Sequence, residues 1–391
     1  MSPAALFKFS GCPHGNDVAA VLIFLLCFVF FLYSNKMHTE ISPNSSVPAS
    51  KFMFWPFLFA AGVVGGISYW HFAFAKQMTT LPIDSKYADM LPLMLEGFKD
   101  LENLRSPFRP HKLPWTLQNY YLPATFIPYF IAHKLGIDIR WTTVFSIDLI
   151  GVVLALAFRP WRLRGGPRLA GLLIWFIAYG AICYQIYTQR FVCIIQLGPF
   201  WLWTAMGFTF LGLRAYRLMS ACFLLALVAR EAALFYLLAP IVIGMKFHRR
   251  QTITCLLWLL LGVFTIFSPF LIDNPLFYLG NIKQYSSLGW YLGQNQDRFI
   301  GFSALLQQHS LDALRFPLLG VSLIVLCILA WRKSIKWNYL DIITGGFVGV
   351  TLFYLFALIT WEYTYVCSVI ILAVWFCNIW SGLLDQEKGQ M

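Results

Sequence analysis

The residues able to do chemistry in this chain are few, because most of their neighbours are apolar. Two aspartates, Asp84 and Asp89, lie early in a long polar stretch that continues through Arg105, Arg109, His111 and Lys112 to Tyr121. A carboxylate held at a membrane face can accept the proton of an attacking hydroxyl. Arginine and lysine bind phosphate through charge-assisted hydrogen bonds, and the same cations bind anionic lipid headgroups. Arg230 and Glu231 interrupt one hydrophobic run at its middle, and Asp148 interrupts another. Ionisable side chains at membrane depth are functional candidates by default. Each residue also has a structural reading. Asp89 suits a helix N-cap, and Asp84, followed by Ser85, suits a turn. Arg230 and Glu231 can pair with each other, and Asp148 can hydrogen-bond between helices.

The elements that must position these residues are membrane helices. Of 391 residues, 59% are hydrophobic and only 12% charged, and the mean hydropathy is +0.67. A soluble domain carries roughly a quarter of its residues as charged types. Apolar runs near the ~20 residues needed to span hydrocarbon recur along the chain. Backbone groups in lipid must be satisfied within a helix or a closed barrel, so the expected fold is an all-α, polytopic bundle of about 10–11 spans. The runs fall near 18–33, 54–75, 122–137, 142–158, 169–188, 191–213, 218–245, 252–272, 316–331, 341–359 and 363–383. The 218–245 run, with Arg230 and Glu231 inside it, reads as two short helices meeting at a break. Residues 1–391 form a single integral membrane domain, with an N-terminal helix and linker over 1–53 and a module carrying the candidate chemistry over 54–245. Residues 246–391 supply further membrane helices and a long loop, 273–315. The run Val18–Tyr33 lacks a strongly basic preceding region and a small-residue cleavage site, so it reads as a retained helix.

The net charge of +12 follows from Lys and Arg gathered in short loops: Arg159, Arg162, Arg164 and Arg168; Arg214 and Arg217; Lys246, His248, Arg249 and Arg250; Arg332, Lys333 and Lys336. This is the positive-inside pattern of a multi-pass protein. It argues against nucleic acid as a partner, because no basic stripe with interleaved aromatics lies outside the spans. The nine cysteines include no CxxC pair, so neither a zinc site nor a disulfide framework is expected. If the short loops are cytoplasmic, the long loops Lys76–Tyr121 and Asp273–Arg315 both face the other side. The span count conflicts with that, since seven crossings would separate them. The segment 122–137, which is short and carries Pro123 and Pro128, is therefore expected not to cross fully.

Within the first long loop, Leu91, Met94, Leu95, Phe98, Leu101 and Leu104 recur at helical spacing, and Glu96, Lys99, Asp100 and Asn103 occupy the other side. This predicts an amphipathic helix lying in the membrane plane, with Pro92 near its start and Ser106, Pro107 and Pro110 at its end. Its order is an aspartate, Asp89, the helix Met90–Arg105, the turn Ser106-Pro107-Phe108-Arg109, and a return at Tyr121-Leu122-Pro123. It resembles the first outward loop of C-type (GT-C fold) membrane glycosyltransferases, including mannosyltransferases. The stretch Leu135–Arg140 and the break at Arg230-Glu231 are also similar to that setting. The close resemblance covers about 60 residues, and the rest matches as a hydropathy profile. The chain departs from the pattern in lacking an Asp-x-Asp or Asp-Glu pair, which leaves Asp84 as a competing acid.

The resemblance implies inverting transfer of a hexose or pentose from a polyprenyl-phosphate donor to a lipid, glycan or protein acceptor. Asp89, or failing that Asp84, would be the general base, with Arg109, Arg230, Arg105 and Lys112 on the donor phosphate. Tyr121, Glu231, His111, Asp148 and Arg298 would contact substrate; Tyr285, Trp290, Asp297 and His309 of the second loop also suit a sugar. No cofactor is expected, although the resemblance does not exclude a divalent metal. The implied location is a multi-pass protein of the bacterial inner (plasma) membrane, surrounded by lipid and with its site on the non-cytoplasmic face. Two other classes fit the same residues: a transporter or flippase of a lipid-linked or amphipathic substrate, which would use broken helices and buried charges equally well, and a non-catalytic membrane subunit.

Overall fold

The computed structural model describes residues 49–85, 88, 90–103, 105–107, 109–113, 116–118, 122–158, 166–271, 306, 309–334, 339–356 and 365–389. The apolar run 18–33, Asp89, Tyr121 and, in the second long loop, Tyr285, Trp290, Asp297 and Arg298 lie outside the described residues.

Among the described residues the regular structure is helical apart from one small hairpin. In order come α1 (Ala49–Thr80), α2 (Met90–Glu102), the strands β1 (Pro110–Lys112) and β2 (Thr116–Gln118), then α3 (Pro123–Lys134), α4 (Arg140–Ala157) and α5 (Gly166–Thr188). A single turn, α6 (Phe191–Ile194), precedes α7 (Gly198–Gly212), α8 (Tyr216–Ala229), α9 (Ala232–Phe247) and α10 (Arg249–Leu271). The C-terminal helices are α11 (Arg315–Lys333), α12 (Tyr339–Phe356) and α13 (Val366–Gly389). Six of these, α1, α4, α5, α10, α11 and α12, contain stretches long and apolar enough to cross a membrane; α8, α9 and Val366–Trp380 of α13 are shorter apolar helices. The strands pair antiparallel, with His111 opposite Leu117, a small addition to described residues that are otherwise helical, as expected of an all-α chain. Three-residue strands are too short to show the alternation by which a strand is read.

Side-chain contacts fix the relative directions of neighbouring helices. On α1 and α4, Ile67 and His71 meet the region of Gly151 and Asp148, so these helices are antiparallel. Along α5, Leu172, Trp175 and Tyr187 follow Gly62, Gly66 and Gln77 of α1, so those two run parallel. The expected break in 218–245 is present: α8 ends at Ala229, Arg230 is extended, and α9 starts at Ala232. The rings of Phe223 and Tyr236, one on each helix, lie 5.9 Å apart. A continuous helix would separate those residues by roughly 20 Å, so α8 and α9 form a hairpin with Arg230 and Glu231 at its apex. The expected run 191–213 is divided as well, because the chain opens between α6 and the start of α7 at Gly198-Pro199. A Cβ on Gly198 would meet Thr143 Cα at 2.7 Å, so only glycine lets the start of α7 lie this close to α4.

These directions resolve the conflict in span number. Helix α3 is 12 residues, roughly 18 Å, against the ~30 Å of a hydrocarbon core. Its start touches the hairpin apex, where Thr125 Oγ1 donates to the Ala229 carbonyl at 2.7 Å. Just past its end, Arg140 donates to the carbonyls of Met78 and Leu81 at the end of α1. Both ends of α3 are thus tied to one face of the bundle, and α3 does not cross. Six helices of alternating direction, α4, α5, α7, α8, α9 and α10, then return the chain at Leu271 to that same face. We call this the loop face. Arg214, Arg217, Lys246, His248, Arg249, Arg250 and Arg332 lie at or next to the opposite helix ends, the basic face.

The main core fills the bundle around α7 and includes Trp175, Trp201, Phe208, Tyr236 and Tyr354. A smaller core, Leu91, Leu93, Met94, Phe98, Phe126, Tyr129 and Ile139, joins α2 to α3.

Candidate functional site

The loop face carries the candidate site as a layer of polar and charged groups built on α3. The apolar stripe of α2 is buried against α3: Phe98 packs on Phe126, Phe130 and His133 with ring centroids 4.8, 5.5 and 5.2 Å away. Glu102 at the end of α2 meets Lys134 Nζ at 3.0 Å and His133 Nε2 at 3.4 Å. Lys134, first as hydrogen-bond donor, and His133 hold the Glu102 carboxyl below its ordinary range. The helix therefore has its apolar side on protein.

Beyond α2 the chain doubles back, and Asp100 holds the turn. Arg109 donates to both carboxylate oxygens of Asp100, at 2.8 and 2.7 Å. The Asp100 carbonyl accepts from the Arg105 backbone N–H at 2.9 Å. His111 is buried; its Nε2 donates to the Pro107 carbonyl at 3.3 Å and lies 3.6 Å from Asp100 Oδ2. Of the residues expected on donor phosphate, Arg109 is thus engaged by a neighbouring carboxylate, while Arg105 and Lys112 are exposed. Asp84 is half-buried, and its carbonyl accepts from the Ala88 N–H at 3.3 Å.

The stretch holding Asp84 leaves α1 from an anchored point. The Arg140 side chain, 8% exposed, bonds to the Asp138 carboxylate with Nη2 2.5 Å from Oδ2, and also grips the Met78 carbonyl at 3.0 Å and that of Leu81. Asp138 Oδ1 accepts from the Arg140 backbone N–H at 3.0 Å, which ties the same pair to the first turn of α4. Sequence reading singles out Leu135–Arg140 but gives this pair no role; an Asp-x-Arg at the start of an apolar run is its visible signal.

At the hairpin apex, Arg230 is half-buried and Glu231 exposed. Tyr354 and Cys367, both buried, lie within electrostatic reach of Arg230. Below them the polar atoms continue into the bundle, with Thr204 Oγ1 3.3 Å from the Tyr236 hydroxyl.

Asp148 lies elsewhere. It is 4% exposed inside the bundle, and its Oδ2 is 2.7 Å from Nδ1 of His71, itself 2% exposed. The His71 ring stacks on Trp141, with centroids 5.1 Å apart. Asp148 Oδ1 and His71 Nε2 have no protein partner among the described residues. Eight residues from the Arg140 end of α4, the pair sits roughly 12 Å below the loop face. The structure therefore groups Asp84, Arg105, Arg109, His111, Lys112, Arg230 and Glu231 at one face and separates Asp148 from them. Sequence reading misses His71 as the partner, although a histidine inside an apolar run is an available signal. Among the described residues no cluster of three or more His, Cys, Asp or Glu could hold a metal ion. No protein family, curated protein or solved structure matches this chain.

Proposed function

We propose that this protein is a membrane glycosyltransferase that moves a sugar from a polyprenyl phosphate to a lipid, glycan or protein acceptor. The observation that carries the reading is the layered loop face, where an in-plane helix docks on a non-crossing helix beside the Arg230 apex. This arrangement supports the reading, because carboxylates and cations on such a face suit a lipid-linked phosphate at the bilayer surface. Asp89, next to the start of α2, takes the proton of the acceptor hydroxyl as that oxygen attacks the anomeric carbon. The bond to the donor phosphate breaks, and Arg230, Arg105 and Lys112 receive the phosphate charge. The net displacement inverts the anomeric centre. With the basic loops cytoplasmic, the site faces outward across the plasma membrane, the inner membrane of a bacterium.

The test is transfer from a labelled polyprenyl-phosphate sugar by purified protein. A positioned base contributes about 10²–10⁴-fold in rate. Asp89→Asn, which keeps most of any capping ability, should lose that much while inserting normally, and Asp84→Asn should lose far less. If Asp84→Asn alone is inactive, the base is Asp84; if both turn over normally, the loop is not the catalytic centre. A second reading, a transporter of an amphipathic or lipid-linked substrate, is favoured by one observation, the His71–Asp148 pair inside the bundle.

A further inference from the structure

At the loop face the chain leaves the bundle at the end of α1 and returns to it at the start of α4, and one side chain holds both places. Arg140 Nη1 donates to the Met78 carbonyl at 3.0 Å and to the Leu81 carbonyl, where the chain departs. On the other edge of the same guanidinium, Nε donates to both Asp138 oxygens at 3.0 Å and Nη2 donates to Oδ2, where the chain comes back. Leu81 and Arg140 are 59 positions apart in sequence. The side chain is buried, so water competes little for these bonds. A guanidinium presents its donors in a rigid planar fork, which lets one residue serve two directions at once.

Helix capping does not need this side chain. Asp138 Oδ1 already accepts from the Arg140 backbone N–H, and any residue but proline supplies that N–H. Helix α3 has its own ties to the bundle, from Thr125 to the Ala229 carbonyl and from the Tyr129 hydroxyl to Thr143 Oγ1 at 2.6 Å. The last turns of α1 are tied to α5, where Gln77 Nε2 donates to the Tyr187 carbonyl at 2.7 Å. Arg140 adds the link between these two sets. One is the exit strand, which carries Asp84 and leads in sequence to Asp89; the other is the return of the chain from α3, whose start touches the Arg230 apex. We propose that Arg140 is a positioning residue for the transfer reaction: by clasping the exit and the return of the loop layer, it sets the candidate base against the cations that receive the phosphate. This rests on the transfer reading above and gives that site a determinant outside its own acids and cations.

The experiment measures transfer from a labelled polyprenyl-phosphate sugar and amide hydrogen exchange on the same detergent-purified full chain. Arg140→Lys keeps the charge but loses the fork. A misplacement of about 1 Å in a reacting site can cost about 10²-fold in rate, so kcat should fall by about that factor. The donor KM should stay unchanged, because Arg230 and its ties are untouched. Amides of residues 81–85 should exchange faster while those of α4 and α5 do not. Asp138→Asn keeps a capping oxygen and should move both readouts the same way by less; it carries the test if Arg140→Lys does not fold. Wild-type turnover per folded molecule in both variants, even with a lower unfolding temperature, overturns the proposal and leaves Arg140 a structural clamp. A raised donor KM at constant kcat also overturns it, since Arg140 would then bind the donor, as does unchanged exchange at 81–85. If the wild type transfers no sugar, the transfer reading fails and the positioning role falls with it, whereas the exchange result still shows whether the clasp exists.

Discussion

Two carboxylate pairs hold this chain together in different surroundings. Asp148 and His71 meet inside the bundle with side chains 5% and 3% exposed, whereas Asp100 and Arg109 meet in the loop layer at 16% and 40%. Both contacts are 2.7 Å long. Geometry alone would rank them equal, but solvent does not. Water competes for Arg109 and Asp100 and screens them, so their pairing mainly directs the chain after α2. Inside the bundle nothing replaces a lost partner, and a lone ionisable group there is costly. The loop layer thus tolerates rearrangement of its charges, as the proposed phosphate binding requires, while the bundle pair tolerates none.

The largest effect expected from this contrast is on the bundle. Asp148→Ala leaves His71 buried without its partner and should cost about 3–5 kcal/mol, the range for breaking a buried pair, read as unfolding in detergent. Replacing both residues with leucine should recover most of that loss, because apolar packing can substitute for a buried pair. If the double variant folds well yet loses all activity or transport, the pair is functional, and the transporter reading gains. If it retains transfer activity, the pair is a helix clamp.

At the loop face the same logic predicts an effect on donor use with little effect on folding. A charge-assisted hydrogen bond contributes roughly 1.5–3 kcal/mol, so Arg230→Ala should weaken use of the polyprenyl-phosphate donor at least tenfold. Normal donor affinity in that variant would return Arg230 to a structural role at the hairpin apex. Smaller still is the loss from Asp100→Asn, since exposed pairs contribute about 0.2–1 kcal/mol. Its signature is positional: Arg109 is released, so protease or crosslinking access to residues 105–113 should increase while the bundle melts as before. A bundle destabilised as much as by Asp148→Ala would erase the distinction drawn between the pairs.

What is legible in the sequence follows the range over which each feature is encoded. The break at Arg230 and the short helix after Pro123 are local, because charge or proline interrupts an apolar run, and both are present. The stripe Leu91, Met94 and Phe98 is likewise readable, but its docking on Phe126 needs the fold of α3. His71 as partner of Asp148 spans 77 positions and requires knowing that α1 and α4 run antiparallel. The Asp100–Arg109 pair closes the turn that leads from α2 into a hairpin of three-residue strands, below the reach of any periodicity.

The smallest effect concerns pH and the clamp between α2 and α3. Glu102 is exposed, and Lys134 and His133 hold its carboxyl below the ordinary value. A carboxyl whose folded value is depressed stabilises the docked state above its unfolded value. That contribution is lost as pH falls through the depressed folded value, where Glu102 takes up a proton in both states. The part of α2 docking that the Glu102–Lys134 contact supplies should therefore be pH-insensitive near neutrality and weaken only in the acid carboxylate range. Hydrogen exchange of the α2 amides reads this directly if wild type is compared with Glu102→Gln at each pH, which cancels the intrinsic pH dependence of exchange. The difference in protection should be present at pH 7 and shrink towards zero on acidification. Because screening leaves exposed pairs weak, salt at neutral pH should shrink the same difference. A difference that persists in acid or in high salt would mean that the Glu102→Gln substitution itself perturbs packing, and that the Phe98 contacts alone dock the helix.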